Sequence, residues 1–136
     1  MSALSRIGVA IDSALLEKFD KLIGGRGYTN RSEAFRDLMR DELVRKASEA
    51  PDQVVMGTVT LVYDHHVRML NDKLTDMQHD AHHNILSTMH VHLDHDNCLE
   101  VLVVKGKSKE IRRIADSLIS VKGVKFGNLT IAGTAP

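Results

Sequence analysis

Histidine and cysteine, two residue types that bind transition metals, cluster in one segment of this 136-residue chain. Residues 89–100 read MHVHLDHDNCLE and contain the only cysteine, Cys98. Because successive side chains of a strand point to opposite faces, His90 and His92 are expected to share one face of a strand. The polar residues 94–97 predict a turn, after which the next apolar run returns antiparallel and brings Cys98 near His92. Imidazole and thiolate suit Zn, Cu or Ni better than Mg or Ca, so the segment predicts a transition-metal site.

A closed four-coordinate site needs a fourth ligand in addition to His90, His92 and Cys98. Five further histidines are candidates by residue type: His65, His66, His79, His82 and His83. Spacing alone does not choose among them, although His79 and His83 are placed to share one face of a helix. A purely structural interpretation also remains, in which Cys98 is a small buried apolar residue and the histidines are solvated.

The composition favours a small globular protein without a strongly charged surface. Hydrophobic residues make up 43% of the chain, and its formal net charge at neutral pH is zero. A nucleic-acid partner would therefore be held by local geometry rather than by a global field. One cysteine cannot form an internal disulfide, and the chain has neither an apolar run of about 18 residues nor a signal-peptide pattern. We therefore expect a cytoplasmic protein.

The first part of the chain predicts a short strand and a helix. Residues 6–11 alternate between apolar residues and an outward face formed by Arg6, Gly8 and Ala10. Asp12 is expected to cap a helix that ends in a glycine-rich segment. The apolar stripe of this helix consists of Leu15, Leu16, Phe19, Leu22 and Ile23.

Asn30 and Glu33 form a capping box that predicts the start of a second helix. The apolar stripe of that helix consists of Ala34, Phe35, Leu38, Met39 and Leu43. A strand and two helices of this size cannot bury three apolar faces alone, and a lone strand leaves both backbone edges unpaired. Two chains that pair their strands antiparallel, with four helices around them, form a ribbon-helix-helix dimer that satisfies both requirements. Such ribbons read the DNA major groove, so Arg6, Gly8 and Ala10 are the candidate base-reading positions.

The N-terminus of the second helix is a candidate phosphate site, because its free backbone N–H groups attract anions. Asn30, Arg31 and Ser32 stand at that terminus. The alternative is a dimerisation module without DNA, in which these residues only cap the helix.

The second part of the chain predicts the order β-α-β-β-α-β, the ferredoxin-like arrangement of an α+β protein. Residues 47–53, which include Pro51, are expected to be a linker. The domains are therefore predicted as residues 1–48 and residues 54–136. The predicted strands are residues 54–63, 85–93, 99–104 and 124–131, and the predicted helices are residues 67–82 and a segment capped by Ser108.

In combination these residues resemble the nickel-responsive ribbon-helix-helix transcriptional regulators over essentially the whole chain. The resemblance implies a homotetramer in which ferredoxin-like, ACT-type domains form the centre and two ribbon dimers flank it. It also implies binding to operator DNA when Ni(II) is bound, with repression of nickel uptake genes. The matching segments are residues 15–17, 27–34, 78–79, 90–92, 97–100, 104–106 and 122–125.

The resemblance also assigns the fourth ligand. It implies that His79 of a neighbouring subunit completes a square-planar Ni(II) site with His90, His92 and Cys98, with one Ni(II) per subunit. Square-planar nitrogen and sulfur ligation suits Ni(II) or Cu(II), in agreement with the donor types. A site divided between subunits would make metal binding depend on assembly.

Glu33 and Asp37 match acidic residues that help to form a secondary cation site near the DNA junction in this family. Their spacing places them on one helix face. The alternative is a capping glutamate and a solvated aspartate.

The outward face of the first strand departs from the family pattern, which usually has an arginine and two hydroxyl residues. Gly8 and Ala10 offer no side-chain hydrogen bond, although Ala10 can touch a thymine methyl group. Arg6 remains able to pair with guanine, so we expect lower specificity or a different operator.

Two other classes of function compete with a regulator. A metalloenzyme is disfavoured, because the glutamate spacing and Pro-Cys-x-x-Cys partner of zinc deaminases are absent and four protein ligands leave no open position. We therefore expect no enzyme. A binding module without sequence-specific DNA output, sensing a small molecule or storing metal, is favoured mainly by Gly8.

Overall fold

The computed structural model describes residues 3–67 and 70–135. The chain divides into two compact units, Met1–Asp41 and Glu42–Pro136. Helix α1 is Ser13–Gly25 and helix α2 is Arg31–Ser48, so α2 begins in the first unit and ends in the second. This α+β organisation agrees with the fold class predicted above.

Both predicted helix caps of the first unit are confirmed. The Leu15 backbone N–H donates to Asp12 Oδ2 at 3.1 Å, and the Glu33 N–H donates to Asn30 Oδ1 at 2.9 Å. Helix α1 ends in a Schellman motif, in which the Tyr28 N–H donates to the Ile23 carbonyl at 3.1 Å. This motif needs a left-handed residue, and Gly27 supplies it with φ of +85°.

The predicted strand at residues 6–11 does not form within the single chain. Residues 3–12 have no regular secondary structure, and Ile7 and Val9 are 75% and 65% exposed. The physical reason is that a strand needs a hydrogen-bonded neighbour, and no described segment of this chain pairs with these residues. Pairing with a second chain stays a prediction.

The second unit is a four-stranded antiparallel sheet with two helices. The elements are β1 Val54–Asp64, α3 Leu70–Asp80, β2 Ile85–His92, β3 Asn97–Lys107, α4 Ser108–Ile119 and β4 Val124–Thr134. The strand order is β2-β3-β1-β4, so β1 lies inside the sheet and both helices are crossover connections. This is the predicted ferredoxin-like arrangement.

The core lies on one face of this sheet. Alternate residues of β1 and β3 point into it, because side chains on a strand alternate between faces. The opposite face carries apolar side chains that are exposed in the single chain. The buried residues include Val55, Val59, Leu61, Tyr63, Leu102, Val104, Leu74, Ile111 and Leu118, and the exposed ones include Met56, Met89, Val91, Val103 and Phe126.

Several predicted boundaries need correction. Helix α3 begins at Leu70 rather than at residue 67 and ends at Asp80, and residues 68–69 of the predicted helix lie outside the described part of the chain. Strands β3 and β4 extend to Lys107 and Thr134, beyond the predicted ends. Their added residues pair with β1 near its start, which apolar periodicity alone does not reveal.

The predicted cap at Ser108 is wrong. Lys107 is the residue before α4 and makes no side-chain cap bond. The Ser108 hydroxyl instead donates to the carbonyl of Ser48 at 2.5 Å. The Ser108 hydroxyl therefore bonds to a distant carbonyl at the end of α2 instead of capping α4, as its position in the sequence predicted.

Candidate metal centre

The β2–β3 hairpin brings three predicted ligands together. His90 lies opposite Glu100, and His92 lies opposite Cys98. Directly opposed residues of an antiparallel pair share a face and approach closely. His92 Nδ1 is 3.5 Å from Cys98 Sγ, and the rings of His90 and His92 have centroids 5.4 Å apart. The hairpin thus places the His92 imidazole against the Cys98 sulfur, with the His90 ring next to that of His92.

Cys98 is a free and fully buried cysteine. Burial raises the pKa of its thiol, and the negative charges of Glu100, Asp64 and Asp94 add to the effect. The thiol is therefore protonated at neutral pH, and a metal must displace that proton in order to bind. The imidazoles of His90 and His92, in contrast, are exposed.

A buried polar network adjoins His90. The Tyr63 hydroxyl lies 3.1 Å from Glu100 Oε2, 3.3 Å from His90 Nδ1 and 3.2 Å from Asn71 Oδ1. Burial raises the pKa of Tyr63, and the Glu100 carboxylate raises it further, so the hydroxyl stays protonated. Gln78 Nε2 donates to Glu100 Oε1 at 2.9 Å. These contacts fix the His90 ring, as groups outside a ligand set commonly do.

The sequence alone does not predict this network. By its pattern Tyr63 is an apolar position of a strand, and Glu100 and Gln78 have no role beyond their place in the matching segments. A signal was present, because Glu100 is an acidic residue at an inward position between Cys98 and Leu102. A carboxylate at such a position needs buried partners. Which residues are the partners of Glu100 can be seen only from the strand register, which sets Tyr63 opposite Cys98.

His65 also lies beside the hairpin. Its ligand atom, with those of His92 and Cys98, forms a group in which all three atoms lie within 4.8 Å of one another. The His65 Nδ1 atom is buried without a hydrogen-bond partner. His65 is one of the five candidate fourth ligands named from the sequence. In the described chain it lies beside His92 and Cys98.

His79 stands apart from this group in the described chain. It is exposed in the last turn of α3, where its ring lies beside that of His82 with centroids 6.0 Å apart. His82 in turn contacts His83, with centroids 3.9 Å apart. Within the described part of the chain, His92 lies against Cys98 and beside His90, whereas His79 contacts none of the three.

A second group of possible ligands lies at the turn between β2 and β3. His66 Nε2 is 3.1 Å from the His95 carbonyl and 3.5 Å from Asp96 Oδ1. All three side chains are exposed. Hydrogen bonds within the turn already account for the position of His66.

The predicted DNA-contacting residues are all exposed in the first unit: Arg6, Gly8, Ala10, Asn30, Arg31 and Ser32. Arg31 makes a two-point contact with Asp20, whose Oδ1 and Oδ2 lie 2.9 Å and 2.7 Å from its guanidinium. The hydrogen bonds from Arg31 lower the pKa of Asp20. The side chain of Arg31 is thus held at the start of α2.

At the predicted secondary cation site, one of the two carboxylates already has hydrogen-bond partners. Asp37 Oδ2 accepts a hydrogen bond from the Tyr28 hydroxyl at 2.6 Å, and Asp37 Oδ1 lies 3.3 Å from Arg40. The hydrogen bond to Asp37 raises the pKa of Tyr28. Glu33 stands in the first turn of α2. A cation bound there would share Asp37 with two existing partners.

Two family models match the chain. The model described as NikR C terminal nickel binding domain matches residues 56–132, and the model for ribbon-helix-helix proteins of the copG family matches residues 5–46. The first covers more than half of the chain and contains the whole hairpin. The second contains α1 and most of α2.

Relatives similar over their full lengths are named as nickel-responsive regulators. One from Solibacter usitatus is 75% identical over 134 residues, covering 98% of this chain and 96% of the relative. Another from Geotalea uraniireducens is 58% identical with the same coverage. A third from Trichlorobacter lovleyi is 54% identical and covers 100% of this chain and 98% of the relative.

A solved structure shares the fold of part of this chain. An uncharacterized protein from Thermotoga maritima superposes with a TM-score of 0.54 at 15% identity, covering 59% of this chain and 99% of that chain. At this identity the similarity concerns the fold alone. Among the described residues, no helix has the length and apolar character needed to cross a membrane.

Proposed function

The chain belongs to the family of nickel-responsive regulators, and on that premise we propose that Ni(II) held by its second unit sets the affinity of its first unit for operator DNA. It is a transcription regulator with a nickel-binding domain and a ribbon-helix-helix domain. We assign these activities to residues 54–136 and residues 1–48. The finer points below are our proposals.

The proposed Ni(II) ligands are His79, His90, His92 and Cys98. The observation that carries this proposal is the 3.5 Å approach of His92 Nδ1 to Cys98 Sγ, with His90 beside them. Two imidazoles and a sulfur are a suitable donor set for Ni(II). One chain holds three of these donors, while the exposed His79 is free to reach another chain. We therefore propose that His79 of a neighbouring subunit completes the site, with one Ni(II) per subunit.

We propose a homotetramer, built as a dimer of dimers. Two separate apolar surfaces of the single chain support it, because large exposed apolar patches mark interaction sites. One is the open face of the sheet, with Met89, Val91 and Phe126. The other belongs to the first unit, where Leu15, Leu22, Leu38 and Met39 of the predicted stripes are exposed. Two surfaces per chain are what a dimer of dimers requires.

We propose that the first unit binds the DNA major groove with a two-stranded ribbon. The ribbon would form when residues 6–11 of two chains pair, placing Arg6, Gly8 and Ala10 against base edges. Asn30, Arg31 and Ser32 would contact a phosphate at the N-terminus of α2. Neutral overall charge leaves these local groups to hold the DNA.

We further propose that Glu33 and Asp37 bind a secondary cation near the DNA. Their position in the first two turns of α2 places two carboxylates close to the proposed phosphate contact. A cation there would offset the repulsion between these carboxylates and the DNA.

The proposed mode of action is a population shift. Ni(II) favours those arrangements of the ribbon dimers that match two half-sites, so its differential affinity for the arrangements raises the affinity for DNA. We propose that this represses nickel uptake genes in the cytoplasm. The protein would act by binding rather than by catalysis.

A nickel titration of the purified apo-protein tests the ligand set. The wild-type chain is expected to develop a thiolate-to-nickel absorption band that saturates at one Ni(II) per subunit. Cys98→Ala and His79→Ala are expected to lose it, whereas His83→Ala, which alters a neighbouring exposed histidine, is expected to keep it. A band that is indifferent to His79 would remove His79 from the ligand set. Absence of any band would favour an ACT-type small-molecule or metal-binding module instead.

A further inference from the structure

The end of helix α2 is capped by the first turn of α4. The carbonyl of Ser48, the last residue of α2, accepts from Ser108 Oγ at 2.5 Å and from Arg112 Nη2 at 3.2 Å. Arg112 Nε also donates to Ser108 Oγ at 3.1 Å. The last carbonyls of a helix have no partner within the helix, and a cation is favourable at its C-terminus. Arg112 and Ser108 meet both conditions at once.

The turn that follows α2 is held by the same part of α4. The Ser108 N–H donates to the Gln53 carbonyl at 2.8 Å, and the Lys109 N–H donates to the Pro51 carbonyl at 3.1 Å. Lys109 Nζ lies 3.1 Å from Asp52 Oδ1. The backbone donors at the start of α4 are thus bonded to the chain that leaves α2.

This joint is buried at its centre. Ser48 is 4% exposed and Ser108 is 1% exposed. Ser48 also donates its own hydroxyl to the Arg45 carbonyl at 2.8 Å, and Arg112 Nη2 lies 3.4 Å from that hydroxyl. A buried polar group without partners is costly, so loss of the guanidinium should loosen the whole joint.

One strand pair connects this joint with the metal hairpin. Strand β3 begins beside Cys98 and ends immediately before Ser108. Its partner β1 is paired with it along the entire length, from Val54 opposite Lys107 to Asp64 opposite Asn97. The two ends are roughly 30 Å apart along the strand. Strand β3 thus links the metal hairpin directly to the residues that hold α2.

We propose that Arg112 and Ser108 form the contact through which the sheet unit holds helix α2 and transmits nickel binding to the DNA-binding unit. Arg112 is a positioning residue, because it touches neither the proposed metal ligands nor the proposed DNA contacts. Without the cap, movements of β3 would have to reach α2 through the turn of residues 49–53 and its bonds to Ser108 and Lys109, and the coupling would be weaker. The transmission part of this inference rests on the proposed function, whereas the cap itself does not.

Arg112→Met tests the contact, with Arg113→Met as its matched control. Both variants remove one exposed arginine of α4 and change the net charge equally, but only Arg112 contacts α2. Hydrogen exchange followed by mass spectrometry of the full-length protein reports the cap. The amides of the last turn of α2 are expected to exchange about tenfold faster in Arg112→Met and to be unchanged in Arg113→Met. Equal exchange in the two variants would overturn the inference.

Operator binding with and without Ni(II) reports the transmission. Arg112→Met is expected to retain the nickel absorption band of the wild type. The factor by which Ni(II) raises its operator affinity is expected to be at least tenfold smaller than in the wild type. Arg112→Lys, which keeps a cation at the helix end, is expected to recover part of that gain. A full gain in Arg112→Met would overturn the transmission role. If Ni(II) leaves the operator affinity of the wild-type chain unchanged, the proposed function is contradicted. The hydrogen-exchange experiment would still test whether Arg112 caps α2.

Discussion

His92 and Cys98 lie opposite each other where the β2–β3 hairpin closes, with Nδ1 of the imidazole 3.5 Å from Sγ. The contact joins an exposed ring to a buried sulfur. A metal that enters from the side of the histidines can thus reach a thiol shielded from solvent. Shielding also raises the pKa of that thiol, which keeps it less reactive in the absence of metal.

Tyr63→Phe is expected to weaken Ni(II) binding without removing any ligand. The hydroxyl contacts Glu100 Oε2 at 3.1 Å and His90 Nδ1 at 3.3 Å, so its loss leaves a buried carboxylate short of a partner and frees the His90 ring. We expect nickel affinity to fall by about 10–100-fold, and the free energy of unfolding to fall by about 1–3 kcal/mol. Competition with a chelator and thermal unfolding measure the two effects.

Tyr28→Phe is the control for this prediction. It removes a hydroxyl that bonds to Asp37 in the first unit, so nickel affinity is expected to stay at the wild-type value. Equal nickel affinity in Tyr63→Phe and Tyr28→Phe would show that the buried network does not position His90.

Gly57→Ala is expected to destabilise the second unit. A Cβ atom at this position would collide with the backbone carbonyl of Thr130 on the neighbouring strand, which cannot move as a flexible side chain can. We expect a loss of about 1–3 kcal/mol, or a fall in the melting temperature of roughly 4–8 °C for each kcal/mol. Gly133→Ala, with no atom within 4 Å of its added methyl group, should melt like the wild type.

Arg31→Ala is expected to reduce operator affinity to a similar degree on all sequences. Arg31 stands at the N-terminus of α2, and the proposed contact is with a phosphate, which carries no sequence information. The slope of log affinity against log salt should fall by about one. Arg45→Ala, which removes an arginine paired with Glu42 and Glu49, should keep the slope. An unchanged slope in Arg31→Ala would exclude the phosphate contact.

Phe126→Glu is expected to split the proposed homotetramer into dimers. Phe126 lies on the open face of the sheet, where a buried carboxylate without a partner would oppose association. Light scattering after size-exclusion chromatography measures the mass. Arg113→Glu, on the helical side of the unit, is expected to stay tetrameric. A tetrameric Phe126→Glu chain would mean that another surface joins the dimers.

Local patterns predicted the hairpin and the starts of α1 and α2 well. Alternation along residues 89–93 places His90 and His92 on one face whatever the rest of the fold does, and a polar turn brings back Cys98. The caps at Asp12 and Asn30 depend on hydrogen bonds within three residues. In each case the interacting groups are neighbours in sequence, so spacing carries the information.

Contacts between segments that are distant in the chain could not be predicted from the sequence patterns. Ser108 looked like a helix cap, but its acceptor is the carbonyl of Ser48, 60 residues away. Tyr63 reads as a strand residue until the register sets it opposite Cys98. Residues 6–11 have the period of a strand, yet the hydrogen bonds of a strand require a partner segment that this pattern does not contain. A ligand role for His79 is likewise implied by the resemblance alone, because no contact in the described chain indicates it.

Mixed tetramers test most directly whether the nickel site is divided between subunits. His79→Ala and Cys98→Ala chains are unfolded together in equal amounts, refolded and titrated with Ni(II), beside each variant treated alone. A mixed tetramer can unite His79 from a Cys98→Ala chain with His90, His92 and Cys98 from a His79→Ala chain. We predict no absorption band from either variant alone and about one quarter of the wild-type amplitude from the mixture, as random pairing requires. If the mixture shows no more absorption band than either variant alone, in samples shown to be tetrameric, a shared site is contradicted.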